Sequence, residues 1–337
     1  MICIRADANK TIATGHVMRC LSIAEALREA GEDVIFAMAE EEGAYLPKER
    51  GFETFILHSD YRDMEGEIPA LQAFINQNSI KAVLLDSYQV TKCYMEAIQG
   101  QTKLIYLDDI DAFPYPCDLL INYAASAEDA TYTTYRKEST CLLGTNYIPL
   151  RSQFVPQKAH VFSEKVQNVL LLSGGTDPYG ILPVMADRLR EQYQGTITII
   201  TSSLNERREE LLTRAKADEA LQVYFDVKNM AEHMQKADVC ITAGGSTTYE
   251  LCATGTPYIT YTLADNQLPS VRKMAELGMT AYAGDVRENL DKVINSSLTY
   301  FEDYQSQKYR ETVSQKLQNF VDGNGAKRIA QRIIALY

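Results

Sequence analysis

Two successive runs of short apolar segments, each alternating with amphipathic stretches, constrain this chain more than any other feature. In the first half, strand-like segments read ICIRAD (2–7), DVIFAM (33–38), ETFIL (53–57), AVLLDS (82–87), KLIYLDD (103–109), LLIN (119–122) and CLLG (141–144). Helical spacing falls at 15–30, 67–77 and 91–99. The alternation restarts with QNVLLLS (167–173), TITIITS (196–202), LQVYF (221–225), DVCIT (238–242) and PYITYT (257–262). Here the helical stretches are 180–193, 206–217, 228–236, 246–254, 267–277 and 287–297. Continuous apolar strands between helices predict parallel sheets covered on both faces. The pattern lapses at 145–165, a polar stretch with two prolines that reads as a linker. The expected organisation is therefore α/β: a Rossmann-like domain over 1–155 and a second over 165–337, both doubly wound, facing an interdomain cleft. The tail, 298–337, reads as helices broken at DGNG and assigned to the second domain. In such sheets ligands bind beyond the carboxyl ends of the strands.

Composition narrows the function. Apolar residues are 46% of the 337, enough for two buried cores. The formal net charge of -12 repels polyanions and anionic lipid, so neither nucleic acid nor a membrane surface is an expected partner. A small anionic ligand stays open, since a few local donors decide that. No basic stretch precedes a long apolar run near the start, and no run approaches the ~20 residues of a spanning helix. The seven cysteines are odd in number, show no CxxC, and read as reduced thiols of a cytoplasmic protein. His58, His160 and His233 stand apart from Cys and carboxylate clusters, so no metal site is expected. The sequence sets no oligomeric state.

Four strand-to-helix turns carry the chemistry. Thr14-Gly15-His16-Val17-Met18-Arg19 follows the first strand and opens a long helix. That places the His16 imidazole in the first helical turn, at the carboxyl edge of the sheet. The helix-terminus field disfavours imidazolium, and a neutral imidazole is a competent general base. A capping or loop-bonding role is the alternative. Arg19, one turn on, suits either a phosphate or a carboxylate. Ser173-Gly174-Gly175-Thr176-Asp177 and Gly244-Gly245-Ser246-Thr247 each link a strand to a helix, where backbone N–H groups favour anions; the second suits a diphosphate, with a tight turn and an ordinary capping serine as the alternative. Glu250, on the helix below, could accept from ribose hydroxyls. Asn266-Gln267 could read a base or a sugar, or simply cap a helix. Asp109-Ile110-Asp111 has the DxD form used to hold a divalent ion on a diphosphate, but three residues are a common coincidence.

Taken together, RADAN, TGHVMRCLSIAEAL, LLDSY, YLDDI, LLGTNYIPLRSQF, LLSGGTD, TAGGSTTYELCATGTP and ADNQ resemble, in that order, the PseG/SpsG family. That family holds the UDP-2,4-diacetamido-2,4,6-trideoxy-β-L-altropyranose hydrolase of pseudaminic acid biosynthesis and spore-coat polysaccharide relatives. The resemblance runs to about residue 285. It implies a GT-B fold related to MurG-type glycosyltransferases, no metal or other cofactor, and water as acceptor. It implies that His16 is the family's histidine and that Gly174, Gly175, Gly244, Gly245 and Ser246 form the nucleotide-binding turns. Glu250, Asn266 and Gln267 match the helical glutamate and the Asn-Gln pair, and Tyr88 matches the family tyrosine. One departure is Ala13, where family members carry glycine; a left-handed backbone there would cost alanine roughly 1 kcal/mol.

The expected reaction is metal-independent hydrolysis of a UDP-sugar with inversion. The turns at 174–176 and 244–247 would hold the diphosphate, and His16 would take a proton from the attacking water. Asp7, Gly15 and Tyr88 would lie around the sugar or the water. An inverting glycosyltransferase on the same scaffold, or a non-catalytic nucleotide-sugar binding subunit, are the alternatives.

Overall fold

The structure, a computed structural model, describes residues 1–12, 14–129, 132, 139–155 and 159–337. Ala13, with its expected departure, lies outside the described residues. The chain forms two compact units: Met1–Ser152 with Gly323–Tyr337, and Gln153–Asp322.

The first unit is built on seven strands: β1 (Ile2–Ala6), β2 (Val34–Met38), β3 (Glu53–Ile56), β4 (Ala82–Asp86), β5 (Lys103–Leu107), β6 (Leu119–Asn122) and β7 (Thr140–Leu143). All pair in parallel, in the order β3-β2-β1-β4-β5-β6-β7. The helices between them are α1 (Gly15–Glu29), α2 (Tyr45–Glu49), α3 (Met64–Gln77) and α4 (Lys92–Gln99). Side chains alternate along a strand, so each face of β1 has its own partners. Ile2, Ile4 and Ala6 join Val17, Leu21, Ala24 and Leu27 of α1 in one core. Cys3 belongs to the opposite core, with Leu71, Phe74 and Ile75 of α3 and Tyr94, Met95 and Ile98 of α4. After β3 the chain returns to the far side of β1, and β4 pairs there with Ala6 opposite Asp86. The winding direction therefore reverses between β1 and β4, the position where a doubly wound sheet opens a ligand crevice at its carboxyl edge.

The second unit repeats the plan. Its strands are β8 (Asn168–Leu172), β9 (Thr196–Thr201), β10 (Leu221–Phe225), β11 (Val239–Ala243), β12 (Tyr258–Thr262) and β13 (Ala281–Asp285). Their order is β10-β9-β8-β11-β12-β13, so the reversal falls between β8 and β11. The helices are α5 (Ile181–Arg190), α6 (Arg208–Ala217), α7 (Met230–Lys236), α8 (Thr247–Thr254), α9 (Leu268–Glu276), α10 (Leu290–Asp303) and α11 (Gln307–Phe320). One core runs from Val169 and Leu171 through Met185, Leu189, Ile199 and Ile241 to Ile294 and Phe301.

Several details differ from the sequence reading, which also lacks the short α2 and the break between α10 and α11. β13 was absent from it: AYAGD contains Gly284 at φ +120° and is only partly buried, so no apolar run marks it. The tail divides, where the reading gave all of 298–337 to the second half. After a turn at Gly323, α12 (Gly325–Ile334) joins the first unit, because Ala326, Ile329, Ala330 and Ile333 complete the core beneath α1. Among the described residues no helix is long and apolar enough to cross a membrane.

Candidate functional site

In the first unit the candidate site gathers where the sheet reverses. Gly15 opens α1 and is exposed; Thr14 precedes it without a side-chain capping bond. His16 follows, 9% exposed, with the Tyr88 ring edge-on to it at 4.7 Å. Its Nδ1 lies 2.6 Å from Oδ1 of Asp86, the last residue of β4. A carboxylate only accepts, so this contact places a proton on Nδ1, and in the neutral ring the lone pair is then on Nε2. Asp86 is 1% exposed. Burial alone would raise its carboxyl; the Arg19 guanidinium, with help from His16, instead holds it well below the usual carboxylate range.

Arg19 sits one turn beyond His16 and is spent within the protein. Nε donates to Asp86 Oδ2 at 2.6 Å and Nη2 to Oδ1 at 2.5 Å. Nη1 donates to the Tyr123 hydroxyl at 3.0 Å and reaches Asp109 at 3.4 Å. Of the two partners the sequence left open for Arg19, the geometry supplies the carboxylate. Tyr88, 44% exposed, donates its hydroxyl to the same Asp109 at 2.8 Å; burial and that carboxylate push the phenol up.

Asp7 stands apart from this group. It is 6% exposed, with Oδ1 accepting from the Ala39 amide at 2.8 Å and Oδ2 from Arg5 at 2.5 Å. Arg5 is in turn clamped by Glu67, which also accepts from Tyr94 and Ser59. Both Asp7 oxygens bond within this buried network, which sets Asp7 apart from the His16 group. The DxD carboxylates are likewise engaged at Asp109, and among the described residues no group of three or more His, Cys, Asp or Glu side chains could hold a metal ion.

In the second unit the remaining candidates line one sheet edge. β8, β11 and β12 are neighbours, and the turns leaving them carry Gly174-Gly175-Thr176, Gly244-Gly245-Ser246-Thr247 and Asn266-Gln267. The first turn needs glycine at 174, where φ is +65°. Asp177 anchors it by accepting from the amides of Ile181 and Leu182 at the start of α5. The carbonyl of Gly175 is tied to Ser202 and Thr201, while residues 174–176 are exposed. At the second turn a Cβ on Gly244 would meet Val271 Cγ2 at 2.3 Å, so only glycine lets α9 approach. The turn then enters α8, with Ser246 exposed and Thr247 and Glu250 half-buried; the amides of Gly244 and Gly245, read as anion donors, instead bond the carbonyls of Tyr261 and Ala243, which leaves those of Ser246 and Thr247 for a ligand. Gln267 accepts from the Leu263 amide at 2.8 Å, which directs its amide nitrogen away from the strand. Arg287 fastens this turn by bonding Asp265 at 2.6 Å and Asp285 at 2.7 Å.

The family model described as glycosyltransferase family 28 C-terminal domain matches residues 154–332, just over half of the chain. This chain belongs to that family. Among curated proteins, this family 28 chain is 26% identical over 276 residues to an uncharacterised protein of Methanocaldococcus jannaschii, covering 77% of this chain but only 54% of that protein. It is also 26% identical over 250 residues to the UDP-2,4-diacetamido-2,4,6-trideoxy-β-L-altropyranose hydrolase of Campylobacter jejuni, covering 73% of this chain and 85% of the hydrolase. Of solved structures, MurG of Acinetobacter baumannii superposes with a TM-score of 0.74 at 13% identity, over 99% of both chains. The chain has the GT-B fold, with two parallel Rossmann-like sheets.

Two residues of the family 28 chain escaped the sequence reading. Asp86 stands within LLDSY but was given no role there, and its importance comes from β4 lying beside β1. Arg287 carries no motif; it acts by contacting Asp265, 22 residues earlier in the chain.

Proposed function

We propose that this chain hydrolyses a UDP-sugar, using His16 as general base on water and the amide-rich turns of the second unit to hold the diphosphate. The observation that carries the reading is the His16–Asp86 contact. With Nδ1–H held by a buried carboxylate, Nε2 is the basic nitrogen and has no protein partner among the described residues. Water bonded to Nε2 attacks the anomeric carbon, its proton passes to the imidazole, and the glycosidic C–O bond breaks with its electron pair leaving on UDP. Charge developing on the departing diphosphate meets the N–H groups at 174–176 and 246–247. Asp86 stabilises the imidazolium formed during the step. The scheme requires one bound substrate to engage both sets of residues. The product is a free sugar of inverted anomeric configuration.

The Campylobacter jejuni relative supports a 2,4-diacetamido-trideoxy UDP-sugar as substrate, and a spore coat polysaccharide biosynthesis protein of Bacillus subtilis, 22% identical over 139 residues, supports a place in surface-polysaccharide synthesis. The family 28 match favours a second reading, in which His16 deprotonates a sugar hydroxyl and the enzyme is an inverting glycosyltransferase. A panel of UDP-sugars, incubated with EDTA and no acceptor, separates the two. UDP release with a β-to-α or α-to-β change in the first-formed sugar, read by NMR, is the hydrolase outcome. Release that begins only when an acceptor sugar is added overturns it.

A further inference from the structure

Arg19 lies on the same face of α1 as His16 and spans three strand ends: Asp86 closes β4, Asp109 follows β5 and Tyr123 follows β6. Its Nε and Nη2 meet the two oxygens of Asp86 side-on, a planar fork on a planar carboxylate that a lysine ammonium cannot reproduce. Oδ1 is shared, since it also takes the imidazole Nδ1–H. Nη2 lies 3.2 Å from Nδ1, but both carry hydrogen in this arrangement, so each donates to Asp86 and neither to the other.

A buried carboxylate bonded to imidazole has two effects. It orients the ring and selects the tautomer, and it favours the charged imidazolium. A base that is to return its proton at each turnover needs the first effect with the second restrained. The groups facing His16 divide these effects. Asp86 carries one negative charge, and Arg19 places one positive charge directly on it. Cys20 lies near Oδ2 at 3.4 Å as a neutral thiol whose ionisation burial and Asp86 oppose. Tyr88 is a neutral phenol against the ring, Tyr123 a neutral phenol on Arg19, and Asp109 draws on the outer nitrogen of Arg19 from 3.4 Å.

We propose that Arg19 is a positioning residue for His16: by gripping Asp86 it fixes the carboxylate plane that selects the Nδ1–H tautomer, and by neutralising Asp86 it keeps Nε2 able to accept and then release a proton. The inference rests on His16 being the base of the reaction proposed above. Its consequence is that Arg19 contributes to turnover without touching substrate.

The test needs no substrate. The chain has four histidines, so long-range proton–nitrogen correlation spectra of the full-length, 15N-histidine-labelled protein resolve each ring, with His16 assigned by its loss in H16Q. In the wild-type protein the neutral His16 ring should carry its proton on Nδ1. In R19M the His16 titration midpoint should rise by about one pH unit, as expected for a carboxylate neighbour left uncompensated. R19K, which keeps the charge and loses the fork, should lie nearer the wild-type midpoint with the two tautomers mixed; it also decides the matter if R19M does not fold. A wild-type proton on Nε2, or a midpoint and tautomer unchanged in both variants, overturns the proposal. The expected spectra in a protein that turns over no UDP-sugar would sink the hydrolase reading alone and leave the role of Arg19 standing.

Discussion

His16 Nδ1 and Asp86 Oδ1 meet at 2.6 Å where the first sheet reverses its winding. The helix following β1 supplies one partner and the end of β4 the other, so the contact depends on the parallel register that sets Ala6 opposite Asp86. A single-residue slip of β4 would turn Asp86 to the other face of the sheet.

Replacing Asp86 by Asn should therefore damage both chemistry and stability. The amide cannot compensate Arg19, and it leaves the His16 tautomer undefined. Turnover should fall by about a hundredfold or more. An interior guanidinium left without its carboxylate should lower stability by about 3 kcal/mol. Steady-state kinetics and urea unfolding of D86N check the two parts; wild-type values for both would remove Asp86 from the account.

The same ion pair sets a pH dependence. The folded Asp86 carboxyl lies below its unfolded value, near 3.9 for a free aspartate. Its contribution is therefore complete above the unfolded value and is lost as pH falls toward the folded one. Measured in an H16Q background, so that the neighbouring imidazole does not titrate in the same range, the stability lost on D86N should stay constant from pH 7 to about pH 5 and shrink below about pH 4. Denaturant midpoints measured across that range test this, and a gap that widens on acidification has the wrong sign for the mechanism.

Two adjacent glycines should separate folding from ligand binding. G244A places a methyl against Val271 and the Tyr261 carbonyl, so it should cost about 1–3 kcal/mol of stability. At Gly245 an added Cβ meets nothing within 4 Å and φ is not positive, so G245A should fold as the wild type does. If the diphosphate approaches this turn as proposed, G245A should nonetheless weaken UDP binding by tenfold or more, about 1.4 kcal/mol. Calorimetry with UDP on folded G245A is the check, and unaltered affinity would move the diphosphate elsewhere.

The tandem α/β halves were legible because parallel strands buried on both faces must be apolar along their length, as VLLL at 169–172 is. His16 and the glycine turns were legible because turn chemistry is local. Asp86 was not, because its role comes from strand order, which distant pairing decides. Arg19 offered two readings until its partners were in place. The last helix was credited to the wrong half because its own amphipathic pattern does not name the core it completes. β13 was hidden by Gly284, which interrupts the apolar run that marks other strands.

The central claim is that water activated by His16 attacks the anomeric carbon. Turnover of a 2,4-diacetamido-trideoxy UDP-sugar in oxygen-18 water, with both products read by mass spectrometry, tests it most directly. The account predicts label in the sugar and none in UDP, with the labelled product falling by about a hundredfold or more in H16N. Label in UDP would mean attack at phosphorus, and would contradict it.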